Sequence, residues 1–285
     1  MKLSVVIPVL NQFDITNQSL KYIVQNDNYE TIVIDNGSDE EFASKTEVDG
    51  ITVIRYEDPM GSYPVFHEAL QYTDADIIAY FHNDFFVYDK DWWKKVIAEF
   101  ERDPMLGMIG FVSSTEVDSV GGRGAGTVSN FQGRSTIGSG IKNWKGTTAE
   151  ENGERYTGFK YIATSDGCAM IFKREVLEKI PFRNDIAIHH FYDKIMSMEV
   201  IERGYKNGFL GIECDHISGR TCNIEPKYHE ASRKWMTDRN ITPSVIGINW
   251  DNENYKHNER IFLDEYRSKN MIPMKVDDRT GERII

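Results

Sequence analysis

Residues 3–39 read LSVVIPVLNQFDITNQSLKYIVQNDNYETIVIDNGSD, and this stretch decides the fold. Leu3–Val9 is a short, nearly continuous apolar run rich in β-branched residues, the pattern of a parallel strand covered on both faces. Asn11–Asp14 is a polar break, with Asp14 placed to cap the helix that follows, and Leu20, Ile23 and Val24 recur at helical spacing. Thr31–Asp35 (TIVID) is a second buried strand that stops at the polar turn Asn36-Gly37-Ser38-Asp39.

The same alternation continues outward. Ile51–Arg55 reads as a strand, Tyr63–Tyr72 as a helix and Ile77–Phe81 (IIAYF) as a strand. A helix capped by Asp91 carries Trp93, Val96, Ile97 and Phe100 on one face, and Met108–Val112 is a fifth strand. Strands alternating with helices predict a doubly wound, mostly parallel α/β sheet with helices on both faces. In such sheets ligands gather beyond the carboxyl ends of the strands. Asn11, Asp35 and His82-Asn83-Asp84 occupy such ends.

Beyond residue 113 the pattern changes. Gly121–Gly140 holds seven glycines and few large apolar residues, which reads as a mobile loop, a lid or an acceptor loop. Gly167–Lys173 is a strand with a short helix after it near Arg174–Ile180, and Asp193–Arg203 is helical up to Gly204. Phe209–Cys214 reads as the last strand, and the polar residues from about Glu225 as a C-terminal helical extension.

Bulk numbers exclude several classes. The formal net charge is -12 over 285 residues, which repels nucleic acid and anionic lipid at long range. No apolar run approaches the roughly 18 residues of a membrane span, and the N-terminus lacks the features of a signal peptide. Three cysteines, Cys168, Cys214 and Cys222, suit free thiols in a reducing compartment, so a cytoplasmic protein is expected. There is no G-x-G-x-x-G after the first strand, no P-loop, no G-x-S-x-G and no H-E-x-x-H.

Three groups remain as carriers of chemistry. Asp84, with His82 and Asn83, follows a buried strand; it is either a turn former or a ligand for a divalent cation that holds a diphosphate. Asp193 stands in the first turn of a helix, as a capping acid or as a general base. His216 follows the last strand, as a structural histidine or a metal ligand. A zinc site built from the cysteines lacks the paired C-x₂₋₄-C spacing.

Taken in order, these segments resemble the family 2 glycosyltransferases of the GT-A fold. SVVIPVLNQFD and TIVIDNGSDE are similar to that family's first two strands, IIAYFHND to the strand that leads into its DxD motif, and SDGCAMIFKREVLEKI to its acceptor wall. FYDKIMSMEVIERGYK resembles the segment that carries the catalytic Asp, and CDHISGR the segment with the late histidine. The resemblance implies a transferase that moves sugar from a nucleotide-sugar, a UDP-sugar in the first instance, to an acceptor hydroxyl with inversion. It implies Asp193 as base. It implies donor contacts from Pro8, Asn11, Asp35, Gly61, Asn83 and Asp84, and acceptor contacts from Asp166, Gly167 and Tyr192. It implies Mn2+ or Mg2+ held by Asp84 and His216, with His82 standing where the family has the first Asp of DxD. Residues 1–112 would bind the donor, 113–225 the acceptor, and 226–285 would pack over both. The alternatives are a sugar nucleotidyltransferase, which would show a basic glycine-rich loop after the first strand, and a glycan-binding protein on a decayed scaffold.

Overall fold

In the computed structural model, residues 1–24, 28–133, 154–217, 221–241 and 249–285 are described. An eight-stranded sheet forms the centre. Its spatial order is Phe159–Ile162, Lys206–Leu210, Leu106–Gly110, Ala169–Lys173, Ile77–Phe81, Leu3–Val9, Glu30–Asn36 and Thr52–Tyr56. The pairings 3–9 with 30–36, 30–36 with 52–56, 3–9 with 77–81, and 206–210 with 106–110 are parallel. Strand 169–173 runs antiparallel to both its neighbours, and 159–162 is an antiparallel edge. The sheet is therefore mostly parallel, with two reversed strands.

Both faces are covered, as continuous apolar strands require. On one face Val5, Ile7, Val33, Ala79 and Phe81 pack with Leu20 and Ile23 of helix Phe13–Ile23 and with Trp92, Val96 and Phe100 of helix Trp92–Arg102. On the other, Val6, Ile32, Ile34, Tyr80 and Phe172 meet helices Ser62–Glu68 and Tyr192–Glu202. The same face receives Phe262 and Tyr266 of the last helix, Trp250–Ser268.

Several boundaries differ from the sequence expectation, each for a local reason. The first helix starts at Phe13 rather than after Asp14, because Asn11 and Gln12 both take left-handed backbone (φ 53° and 52°) and make the turn themselves. The helix expected over 63–72 runs Ser62–Glu68 and tightens into a 3-10 turn. The fifth strand is Leu106–Gly110, after which Val112–Ser114 leaves for a second, four-stranded sheet. The expected strand 209–214 is two: Lys206–Leu210 in the main sheet, and Cys214–His216 paired with Phe85–Val87. Gly211 separates them, where any Cβ would lie 2.2 Å from the Tyr156 carbonyl.

The glycine-rich segment is not a bare loop in its described part. After a 3-10 turn at Gly124–Gly126, Thr127–Ser129 pairs with Val112–Ser114 and with Glu154–Arg155. Residues 134–140 of that expectation lie outside the described residues, as do Ser218 and Gly219 of the CDHISGR motif. The C-terminal region holds helices Pro226–Asp238 and Trp250–Ser268. It closes with a strand, Met274–Lys275, on Glu116–Val117, which the sequence pattern did not announce. No described helix is long and apolar enough to cross a membrane, and all three cysteines are free.

Candidate active site

The parallel strands end on one side of the sheet, and a cavity of about 470 Å³ opens there. Its floor is Pro8–Leu10, Asn36 and His82–Asp84, the residues at or just after three adjacent strand ends. The opposite wall comes from Asp166, Gly167 and residues 188–194, and the roof includes Tyr228 and Tyr255 from the C-terminal helices.

The ribbon that pairs Phe85–Val87 with Cys214–His216 explains why His216 reaches Asp84. Its register sets His216 opposite Phe85, and the Ile217 amide donates to the Asp84 carbonyl at 3.1 Å. His216 Nε2 then lies 3.1 Å from Asp84 Oδ1 and 3.3 Å from His82 Nδ1, while His82 Nδ1 is 4.0 Å from Asp84 Oδ1. Two imidazole nitrogens and a carboxylate oxygen thus lie close enough together for one ion to touch all three. Burial pushes His82 below its ordinary value, and the neighbouring His216 adds to this. Burial opposes the charge on His216 as well, but the Asp84 carboxylate raises it above its ordinary value. The donor set of one carboxylate oxygen and two imidazole nitrogens fits a divalent first-row cation.

His82 is held from behind. Its Nε2 lies 2.7 Å from the Tyr192 hydroxyl, and that hydroxyl has room only because residue 167 is glycine: a Cβ there would sit 2.0 Å from it. Tyr192 opens the helix that presents Asp193. His190 and Phe191 before it take positive φ (66° and 55°), a sharp turn that aims the helix N-terminus at the cavity. Gly61 backs this turn, where a Cβ would lie 3.1 Å from Ile188 Cα, and the Ser62 amide donates to the Ile188 carbonyl at 2.8 Å.

Asp193 is anchored at both oxygens. Oδ1 accepts from its neighbour's amide, Lys194 N, at 2.8 Å, and Oδ2 accepts from Gly167 N at 3.2 Å and Arg123 Nη2 at 3.4 Å. Arg123 also binds the Asp166 carboxylate directly. Burial alone would raise the Asp166 carboxyl, but the Arg123 guanidinium, helped by His216, drives it well below the usual carboxylate range. The cavity therefore holds Asp166 as an anion.

Most of the sequence candidates meet here: Pro8, His82, Asn83, Asp84, Asp166, Gly167, Tyr192, Asp193 and His216 all line the cavity. Asn11, Asp35 and Gly61 do not. Asp35 is fully buried, with Oδ1 accepting from Ser38 N and Oδ2 from Phe42 N and Arg55 Nη1, so its carboxylate builds the turn after the strand. The next residue, Asn36, lines the cavity instead. Asn11 braces the same turn through Asp39 and also donates to Glu225. Arg123 was missed. Its sequence signal is that it is the sole charged residue between Val120 and Gly133.

This architecture is the GT-A fold. The model of the Glycosyltransferase like family matches residues 22–266, most of the chain, and the chain belongs to that family. Among solved structures, it is similar to the mannosyltransferase PcManGT from Pyrobaculum calidifontis in complex with GDP-Man and Mn2+. That match is 14% identical, covers 95% of this chain and 72% of that one, and has a TM-score of 0.53. A second is glucosyl-3-phosphoglycerate synthase from Mycobacterium tuberculosis in complex with Mn2+, UDP and glucosyl-3-phosphoglycerate. It is 13% identical, covers 87% and 83% of the two chains, and has a TM-score of 0.48. No curated protein matches the chain.

Proposed function

We propose that this glycosyltransferase moves a sugar from a nucleotide-sugar, a UDP-sugar in the first instance, to an acceptor hydroxyl, with inversion and with Asp193 as general base. The observation that supports this reading is the cluster His82–Asp84–His216 sharing one cavity with the carboxylate of Asp193. The donor half is residues 1–112, with the base against Pro8 and Asn36. The acceptor half is 113–225, with Asp166, Gly167 and Tyr192 on its wall, and 226–285 roofs the cavity.

Asp84, His216 and His82 would hold Mn2+ or Mg2+. When bound, that ion would offset the negative charge that develops on the leaving diphosphate. Asp193 takes the proton of the attacking hydroxyl. Its Gly167 and Arg123 contacts fix Oδ2 in place, so the group is oriented before the acceptor arrives. With Asp193 as base on the acceptor side, the acceptor attacks the anomeric carbon from the face opposite the diphosphate.

The test is release of nucleoside diphosphate with Mn2+ across a panel of UDP- and GDP-sugars, GDP included because PcManGT was solved with GDP-Man. Turnover with any of them, slow donor hydrolysis included, is the expected result. Release of pyrophosphate would move the chain to nucleotidyl transfer. Binding without release of either would leave a glycan-binding protein.

A further inference from the structure

Resting on the transferase reading of the site, we infer that its metal position is nitrogen-rich and favours transition-metal ions over Mg2+. His82 supplies Nδ1 as a ligand, and Tyr192 over Gly167 positions that ring.

The geometry separates the two nitrogens of His82. Nδ1 faces His216 Nε2 and Asp84 Oδ1, at 3.3 Å and 4.0 Å, and Nε2 faces the Tyr192 hydroxyl at 2.7 Å. A ring that binds a cation through one nitrogen carries its proton on the other, and a hydrogen-bond partner there fixes tautomer and orientation. The Tyr192 hydroxyl is that partner, and it reaches the ring only over a glycine: a Cβ on residue 167 would stand 2.0 Å from it. Ring packing holds the arrangement from the side, with His189 centred 6.2 Å from His82 and 5.5 Å from Tyr192.

The donor set then contains two imidazoles and one carboxylate. Magnesium prefers hard oxygen ligands and gives up water reluctantly. Imidazole favours the later first-row ions, whose affinity for a given site rises from Mn2+ to Co2+. Replacing a carboxylate by His82 removes one negative charge and one oxygen, and both changes act against Mg2+. The expected order of affinity is Co2+ over Mn2+ over Mg2+, with the widest gap at Mg2+.

Spin-echo spectroscopy of the full wild-type chain with Mn2+, alone and with UDP, counts the coordinated imidazoles without any turnover. Modulation from two imidazole nitrogens is expected. A single one, or no bound Mn2+ in either sample, overturns the inference. Calorimetric titration with Co2+, Mn2+ and Mg2+ gives the order. His82→Asp should narrow the gap between Mn2+ and Mg2+, and an unchanged gap in the folded variant counts against it. Tyr192→Phe should weaken Mn2+ roughly 10–100-fold, as loss of a ligand's outer partner does. If His82→Asp does not fold, the wild-type spin-echo count still decides. Two-imidazole binding without sugar transfer would sink the transferase reading and leave this one. Transfer at a one-imidazole site would do the reverse.

Discussion

Asp35 and Asp84 look alike in the sequence: each stands at or just beyond the carboxyl end of a buried parallel strand in the same sheet. Both are buried, at 0% and 6% exposure. Their surroundings differ in kind. Asp35 is met by three donors from its own turn and the next strand, Ser38, Phe42 and Arg55. Asp84 faces two imidazoles that come from elsewhere in the chain or from across a reverse turn. A fully buried carboxylate that meets three donors of its own chain serves first to hold that chain together. One that shares its space with other ligands has capacity left for something outside it.

The contrast can be broken in order of effect. Asp193→Asn should lower the turnover rate by roughly 100- to 10,000-fold, the usual share of general-base catalysis, while Mn2+-dependent UDP binding survives. Full turnover in a nucleotide-release assay would remove Asp193 from its role. Asp84→Ala should abolish the metal dependence of UDP binding, seen by calorimetry with and without Mn2+. Equal affinities in the wild-type protein would erase the distinction drawn above. Asp35→Asn should do the opposite: it should lower unfolding free energy by roughly 1–3 kcal/mol and leave Mn2+ affinity of the folded protein unchanged. A fall in Mn2+ or UDP affinity at full stability would return Asp35 to the site.

A further effect concerns pH. Burial pushes His189 from 6.5 down to about 3. The unfolded chain therefore takes up this proton first, and stability falls as pH drops from about 6.5 toward 3. His189→Gln should flatten that slope in urea titrations at pH 7 and pH 5 and leave the plateau above pH 7 without it. An unchanged slope would place the titration elsewhere.

The N-terminal half of the fold was legible because its strands are continuous apolar runs and its turns are polar, a contrast that periodicity reads directly. The edge strand Phe159–Ile162 escaped for the opposite reason: as an edge it is only half covered. The residues that line the cavity from strand ends and from the helix start were legible by position. Position could not show that Arg55 crosses from the next strand to pair with the Asp35 carboxylate, while Asn36 lines the cavity. Arg123 was hidden among glycines. Its partners Asp166 and Asp193 lie 43 and 70 residues away, and no local pattern encodes such a meeting.

The closing strand has a consequence for how the molecule comes into being. Met274 and Lys275 pair with Val117 and Glu116, the Val276 amide donates to the Thr115 carbonyl at 3.0 Å, and Arg267 binds the Ser119 carbonyl. Gly121 is packed against Phe262 from the last helix. All of these grip the short stretch that leads into Arg123. On a ribosome, Asp84, Asp166, Asp193 and His216 emerge well before the residues that hold Arg123 in register. The stretch that carries the guanidinium steadying Asp193 thus gains its last supports only when the C-terminal strand has been made.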